Sequence, residues 1–256
     1  MKLSSKVNAL VLAGAPNKGG LSTVSGAKYE AMVEINGKTI LEYVLNGILQ
    51  SNSIDKIVVV GPLEVADVVK KVDANNRIRL EECKDNIMEN IMAGIECLPD
   101  DEYTVVFTSD IPFITGEDVD EFVGDCMKDK ADIYYPIISQ ETVEGEFPNA
   151  MRTYFTLKEG KFTAGNVFMV KPKLIKENEE LIHKAFNLRK NPSGIASLLG
   201  AKVIMKFLAK TLSIKDILER VQKSFGIKGK EIMSKSAAIG MDVDKEEDFK
   251  LAQELL

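Results

Sequence analysis

Acidic residues at two places in the chain stand where carboxylates can do chemistry. In TVVFTSDIPFIT, residues 104–115, an apolar run leads straight into Asp110, preceded by Thr108 and Ser109 and followed by Pro112. A charge at the end of a buried strand costs free energy unless a partner meets it. Two readings compete: an Asx turn or helix cap, or a ligand to a cation. Farther on, GMDVDKEEDF offers Asp242, Asp244 and Asp248. Asp248 has a structural role in the first turn of a closing helix, where negative charge is favoured. AIGMDV reads as a strand, on which Asp242 and Asp244 alternate and share a face. Strand-end acids gathered by a sheet would make a hard-oxygen site for Mg2+, which takes a few carboxylates, waters and substrate phosphates.

A glycine-rich loop is the second chemical feature. LAGAPNKGGLSTVSGAK carries glycines at 14, 19, 20 and 26. Glycines there let backbone N–H groups approach phosphate oxygens; a flexible connection is the competing reading. GAPNKGG has the outer spacing of a Walker A loop, but Gly20 stands where the lysine belongs, and GxGxxG is absent.

The elements that must position these residues follow an α/β rhythm. VNALVLAG, DKIVVVG, RIRLEEC and YTVVFTSD read as strands, alternating with helical patterns such as KTILEYVLNGILQSN, where Ile40, Leu41, Val44, Leu45 and Ile48 share one face. Such strands, apolar on both faces, belong to a doubly wound, mostly parallel, Rossmann-like sheet with its ligand edge at the C-terminal strand ends. ADIYYPII is a further strand, and RTYFTLKEGKFTAGNVFMV reads as two strands around an EG turn. Residues 173–229 are helical in pattern, so the expected architecture is an α/β core of residues 1–172 and 230–256 with a helical insertion at 173–229. From Lys171 to Lys230 there are 14 Lys/Arg against 5 Asp/Glu, a net of +9 in a chain of net −6, which leaves −15 for the remainder. That charge is either a solvated lysine surface or a basic cap favouring an anionic substrate. The insertion's surplus of apolar residues predicts a small core of its own, with a pocket for a large or lipid-linked acceptor as the alternative.

Composition narrows the class. With 45% hydrophobic and 28% charged residues among 256, the chain can build a core, and no apolar run approaches the ~20 residues of a membrane span. MKLSSKVNALVLAGA imitates a leader peptide, but its apolar run is brief and interrupted by Asn8, and it fits a first strand better. Cys83, Cys97 and Cys126 are widely spaced without CxxC, as expected of buried thiols in a reducing cytoplasm, and His183 belongs to no nucleophile motif. Nucleic-acid binding is disfavoured by the net negative charge, the absence of Trp and the lack of a basic-aromatic motif.

LAG after the first strand, SDIPF after a middle strand, GNVF after the hairpin and DVDKEEDF near the end resemble, in order, the MobA-like NTP transferases, nucleotidyltransferases of the glycosyltransferase-A-like fold. The resemblance implies Mg2+-assisted transfer of a nucleoside monophosphate from an NTP to a phosphorylated or hydroxyl small-molecule acceptor, with pyrophosphate leaving. It places the metal on Asp110 and Asp244. Nucleotide would meet Leu12, Ala13, Gly14 and Ala15, with Asn86 and Asn90 near the nucleoside, although Asn86 reads equally as an N-cap. Gly165 and Asn166 would face the acceptor, assisted by Arg152 and by Arg189 and Lys190 of the insertion. The chain departs from the pattern in two places: its loop offers Lys18 in place of an arginine, and Glu30 falls where the family carries a lysine, with Lys28 two residues earlier as the candidate substitute. That loss of cations supports an alternative, a non-catalytic nucleotide- or sugar-nucleotide-binding protein. A metal-dependent glycosyltransferase reading the DVD at 242–244 is a third.

Overall fold

In the computed structural model, residues 6–188 and 200–256 are described. The central strands are β1 (Val7–Leu12), β4 (Ile54–Gly61), β5 (Ile78–Glu82) and β6 (Thr104–Thr108), all mutually parallel. Their apolar side chains point both ways. Val11, Val59 and Phe107 enter one buried cluster, while Leu10, Leu12, Val58, Val60 and Val106 enter another on the opposite face. This explains the near-continuous hydrophobic runs, since a sheet covered on both faces has no side to leave polar.

Beyond β6 the sheet turns mixed. β10 (Val167–Val170) runs antiparallel between β6 and the first residues of β7 (Ile133–Ser139). β9 (Gly160–Ala164) pairs with the far end of β7 and with β8 (Phe155–Leu157), and β11 (Gly229–Ser234) runs parallel along the other side of β7. The expected two-strand excursion is therefore three strands, because Gly165 and Asn166 break the run between β9 and β10. A short hairpin, β2 (Glu34–Ile35) and β3 (Lys38–Thr39), turns at Asn36 and Gly37, both with positive φ.

Helices cover both faces. α1 (Ile40–Gln50) buries the five apolar residues that the spacing assigns to one face, and its start is capped by Thr39, whose side chain accepts from the Glu42 N–H. α2 (Ala66–Val72) lies beside α1. α3 (Ile87–Ile95) covers the opposite face. α4 (Gly116–Cys126) opens with a Thr115–Asp118 capping box and packs on α1. The short α5 (Gln140–Glu146) follows β7, and α10 (Glu246–Leu255) closes the chain. No described helix is long and apolar enough to cross a membrane.

Among its described residues, the helical stretch packs its apolar side chains against the sheet. Ile175 of α6 (Pro172–Glu177) joins the cluster beneath α3, with Ile182 of α7 (Glu179–Leu188) packed against it. Val203 of α8 (Ala201–Leu208) and Leu212 join Ile137, Leu157 and Phe162, and α9 (Ile214–Phe225) adds Ile214 and Ile217 to that cluster. Among the described residues, α6 and α7 thus cover one part of the sheet and α8 and α9 another, each burying its apolar side chains against strands.

One expectation is corrected. AIGMDV is not a strand: Ala238–Gly240 forms a 3-10 turn, and Met241 to Asp244 run without ladder pairing. Gly240 packs so closely that a Cβ there would lie 2.5 Å from Cδ1 of Ile138 and 3.1 Å from the Ala164 carbonyl oxygen. The segment's hydrogen bonds go singly to loops: Asn166 N–H donates to Ile239 O at 2.9 Å, and Val243 N–H donates to Asp110 O at 2.8 Å.

Candidate active site

The last bond ties the two acidic stretches together. Asp110 leaves the C-terminal end of β6, and the backbone bond from Val243 holds the 241–245 segment across it. Asp244 is anchored further by the first turn of α10, where Asp248 Oδ2 accepts from the Asp244 and Lys245 N–H groups, both at 3.2 Å. Asp248 thus has the helix-start role expected of it. Asp242 and Asp244 come near one another through this turn, not through strand alternation.

The glycine loop supplies the third wall. Pro16 pairs with Tyr29, so residues 17–28 form a closed excursion and the chain returns to the site at Glu30. Asn17 holds the excursion shut: its N–H donates to Lys28 O, and its Nδ2 donates to Ser25 O and Ala27 O. Gly20 packs on the acidic turn, where a Cβ would lie 2.9 Å from Asp244 O. Among the described residues, the N–H groups of Gly14, Ala15 and Glu30 differ in use: Glu30 donates to Ala15 O, whereas Gly14 and Ala15 donate to no protein acceptor.

Together these elements bring one carboxylate oxygen each from Glu30, Asp110 and Asp244 within 4.8 Å of one another. Their electrostatics follow from that crowding. Asp110 is pushed up to about 7, first by burial and then by the charge of Asp242, although a hydrogen bond from Thr108 Oγ1 acts the other way. Asp244 is raised by lost hydration and by Asp242 and Asp110. Glu30 is raised by burial and by Asp244 and Asp242. Three hard oxygen donors that repel one another match what a divalent cation such as Mg2+ requires.

The remaining candidates fall into distinct environments. Leu12 and Ala13 are buried under the loop, and Ala13 N–H donates to Val60 O, so only Gly14 and Ala15 present free amides. Gly14 lies close to Cys83, just past β5, and to α3: a Cβ would lie 2.8 Å from Cys83 Cβ and 3.0 Å from Asn90 Nδ2. Asn90 is 6% exposed, and its Oδ1 accepts from Lys84 N–H. Asn86 is the N-cap of α3, accepting from the Glu89 N–H, which is the structural half of its expected role. Gly165 and Asn166 lie beside Asp110, with Asn166 O accepting from Thr108 N–H and Asn166 Nδ2 buried without a partner. Arg152 is spent within the fold, its guanidinium donating to Gly240 O and to the backbone and side chain of Asp242. Lys18 is exposed on the loop. Lys28 lies in irregular chain before a 3-10 turn, not on a strand, 3.9 Å from Glu64 and over the Tyr29 ring. Arg189 and Lys190 lie outside the described residues.

Glu30 is the residue that sequence reasoning treated only as a missing cation. The available signal was the return of the loop: an acid closing an excursion that begins just past β1 comes back to the same strand edge.

Known proteins resemble this chain in sequence and in fold. A probable molybdenum cofactor guanylyltransferase from Natranaerobius thermophilus is 29% identical over 143 residues, or 54% of this chain and 63% of that protein; the chain thus spans under two thirds of that relative's length. A hypothetical transferase from Thermus thermophilus, solved as a structure, is 31% identical with a TM-score of 0.82 over 95% of this chain and 99% of its own. The 4-diphosphocytidyl-2C-methyl-D-erythritol synthase from Anaerococcus prevotii shares the fold, with a TM-score of 0.59 at 13% identity over 98% of this chain and 95% of its own. Because the model of the MobA-like NTP transferase domain matches residues 9–204, from the first strand and glycine loop through β6 to β10, the chain belongs to the MobA-like NTP transferase family.

Proposed function

We propose that the chain transfers a nucleoside monophosphate from an NTP to a phosphorylated or hydroxyl-bearing small molecule, with release of pyrophosphate and assistance from Mg2+. The observation that carries this reading is the convergence of Asp110, Asp244 and Glu30 within 4.8 Å at the sheet's C-terminal edge, beside the unspent amides of Gly14 and Ala15.

Asp110 and Asp244 would hold the ion, with Glu30 as a third oxygen donor. When bound, the ion supplies charge neutralisation at phosphate oxygens and alignment of the reacting groups. The Gly14 and Ala15 N–H groups donate to the nucleotide, at a point where Gly14 lets the backbone lie against α3. Asn90, fixed through its Oδ1, turns Nδ2 toward Gly14 and donates to the nucleoside. The unpartnered Nδ2 of Asn166 supports an acceptor position beside Asp110. Arg152 offsets the charge of Asp242, so its part is to hold the acidic turn in place. Lys18 and Lys28 are the cations nearest the loop in sequence, and their long exposed side chains suit contact with the triphosphate. Arg189 and Lys190 remain the insertion's candidates for acceptor phosphate.

Glu30 also supports a second reading, in which the site binds a nucleotide without turning it over. A thermal-shift panel of ATP, GTP, CTP and UTP, with and without Mg2+, on the native protein and on Asp110→Ala tests the site. Ligand at about 100 Kd should add roughly 2.7 kcal/mol of stability. A Mg2+-dependent shift with an NTP, absent in the variant, is expected. Pyrophosphate release on adding phosphorylated acceptors then separates catalysis from binding alone. No shift with any NTP overturns both readings.

A further inference from the structure

One side chain beside the three acids has no part in the proposed chemistry. Thr108 is the last residue of β6, paired with Leu12 of β1, and its N–H donates to Asn166 O at 3.2 Å. Its backbone is therefore held from both sides. The β-branch restricts its χ1, so the hydroxyl is nearly as fixed as the strand. That hydroxyl donates to Asp110 Oδ1 at 2.5 Å. A second acceptor, Asn166 O, lies farther off at 3.3 Å, and a hydroxyl has one proton to give.

Asp110 needs such a bond. A carboxylate turns broadly about its last torsion, and three like charges with oxygens within 4.8 Å of one another favour turning apart. Among the described residues, no other hydroxyl, amide or cationic side chain donates to Asp110, Glu30 or Asp244. We propose that Thr108 is a positioning residue for the cation, its hydroxyl holding Asp110 Oδ1 and so keeping the carboxylate in the orientation that serves the acidic cluster. The inference rests on the proposed Mg2+ site and adds to it a residue that touches no reacting atom. Thr108 acts through Asp110, as the partner standing behind a metal ligand, and it ties that ligand to the middle of the sheet instead of to a loop.

Calorimetric titration of the whole, nucleotide-free chain with Mg2+ tests it. Thr108→Val, which keeps the branch and drops the hydroxyl, should weaken binding about 10–100-fold, the usual effect of losing a partner behind a metal ligand. Thr108→Ser, which keeps the hydroxyl, should bind nearly as the native protein does. Thr108→Ala stands in should Thr108→Val fail to fold. The loss in Thr108→Val should persist at about pH 9, well above the value of about 7 to which the Asp110 carboxyl is raised. A loss that vanishes there would mean that the hydroxyl only keeps a proton off Asp110, and overturns the proposal. In an Asp110→Asn background, Thr108→Val should change the residual affinity by less than about twofold, because the hydroxyl acts through that carboxylate. An equal loss in that background, an equal loss in Thr108→Ser, or native affinity in Thr108→Val overturns the positioning role and leaves the Mg2+ site standing. Absence of Mg2+ binding by the native protein removes the site, and this role with it.

Discussion

Asp110 should destabilise the metal-free protein in a pH-dependent way, and the size of the effect follows from its surroundings. Burial and the neighbouring Asp242 move its carboxyl from 3.8 to about 7. At 1.36 kcal/mol per pH unit that displacement is worth about 4 kcal/mol. Because the folded-state value lies above the unfolded one, the folded protein holds the proton more tightly. Its stabilising contribution is fully present below about pH 4 and is lost as the pH rises through about 7. About 2 kcal/mol of this falls between about pH 5.5 and pH 8, which for a chain of this size is about 4–8 °C in Tm. Thermal unfolding in chelator at both pH values, on the native protein and on Asp110→Asn, reads the effect together with the relief of Asp244, whose carboxyl the Asp110 charge helps to raise. The native protein should lose that much more than the variant. Saturating Mg2+ should raise the native Tm more at the higher pH, where the ion faces no competing proton. An identical pH slope in Asp110→Asn, or an equal Mg2+ shift at both pH values, would refute the reasoning.

Glu30→Gln should weaken Mg2+ binding to the nucleotide-free protein by about tenfold or more, consistent with loss of one charged ligand worth ~1.5–3 kcal/mol, as read by calorimetric titration. Gly14→Ala should abolish the NTP-dependent thermal shift, since its Cβ would lie 2.8 Å from Cys83 Cβ, and should cost about 1–3 kcal/mol of stability from overpacking. Asp120 joins the end of α1 to α4 by accepting from Ser51 Oγ, Ser53 N–H and both the N–H and Nδ2 of Asn52. Burial opposes its ionisation, but those bonds outweigh burial and hold its pKa below the ordinary value. The resulting stability is present above about pH 4 and is lost as the pH falls through the lowered value, so Asp120→Ala should cost about 1.5–3 kcal/mol at neutral pH and flatten the acid limb of the unfolding curve.

The alternating strands and helices of the first half were legible because a parallel sheet covered on both faces writes its period directly into the chain. The run from β1 to α4 follows from apolar spacing, and the structure adds the caps Thr39 and Thr115. Asp110 was legible for the same reason, standing where a strand ends at the ligand edge. The 238–244 segment misled because its small and apolar residues suit a strand, whereas close packing against Ile138 and Ala164 decides its path, and such packing leaves no periodic trace. Glu30 was missed in its present role because its neighbours are set by a loop closure through Asn17 and Pro16–Tyr29, a nonlocal condition. The helical stretch shows the same limit: its apolar surplus was visible, but the sheet surface it would cover was not.

The hydrogen bond from Val243 to Asp110, and the contact of Gly20 with Asp244, have a consequence in time. During synthesis, strands β1, β4 and β6 can assemble well before residues 242–248 emerge, because domains begin to fold as chain becomes available. Until that acidic turn arrives, Asp110 has Glu30 as its neighbouring acid and Gly20 lacks the turn it packs on. Under the proposed function, cation affinity should therefore reach its full value only late in elongation, and a stalled or prematurely ended product should carry most of the sheet but only two of the three acids.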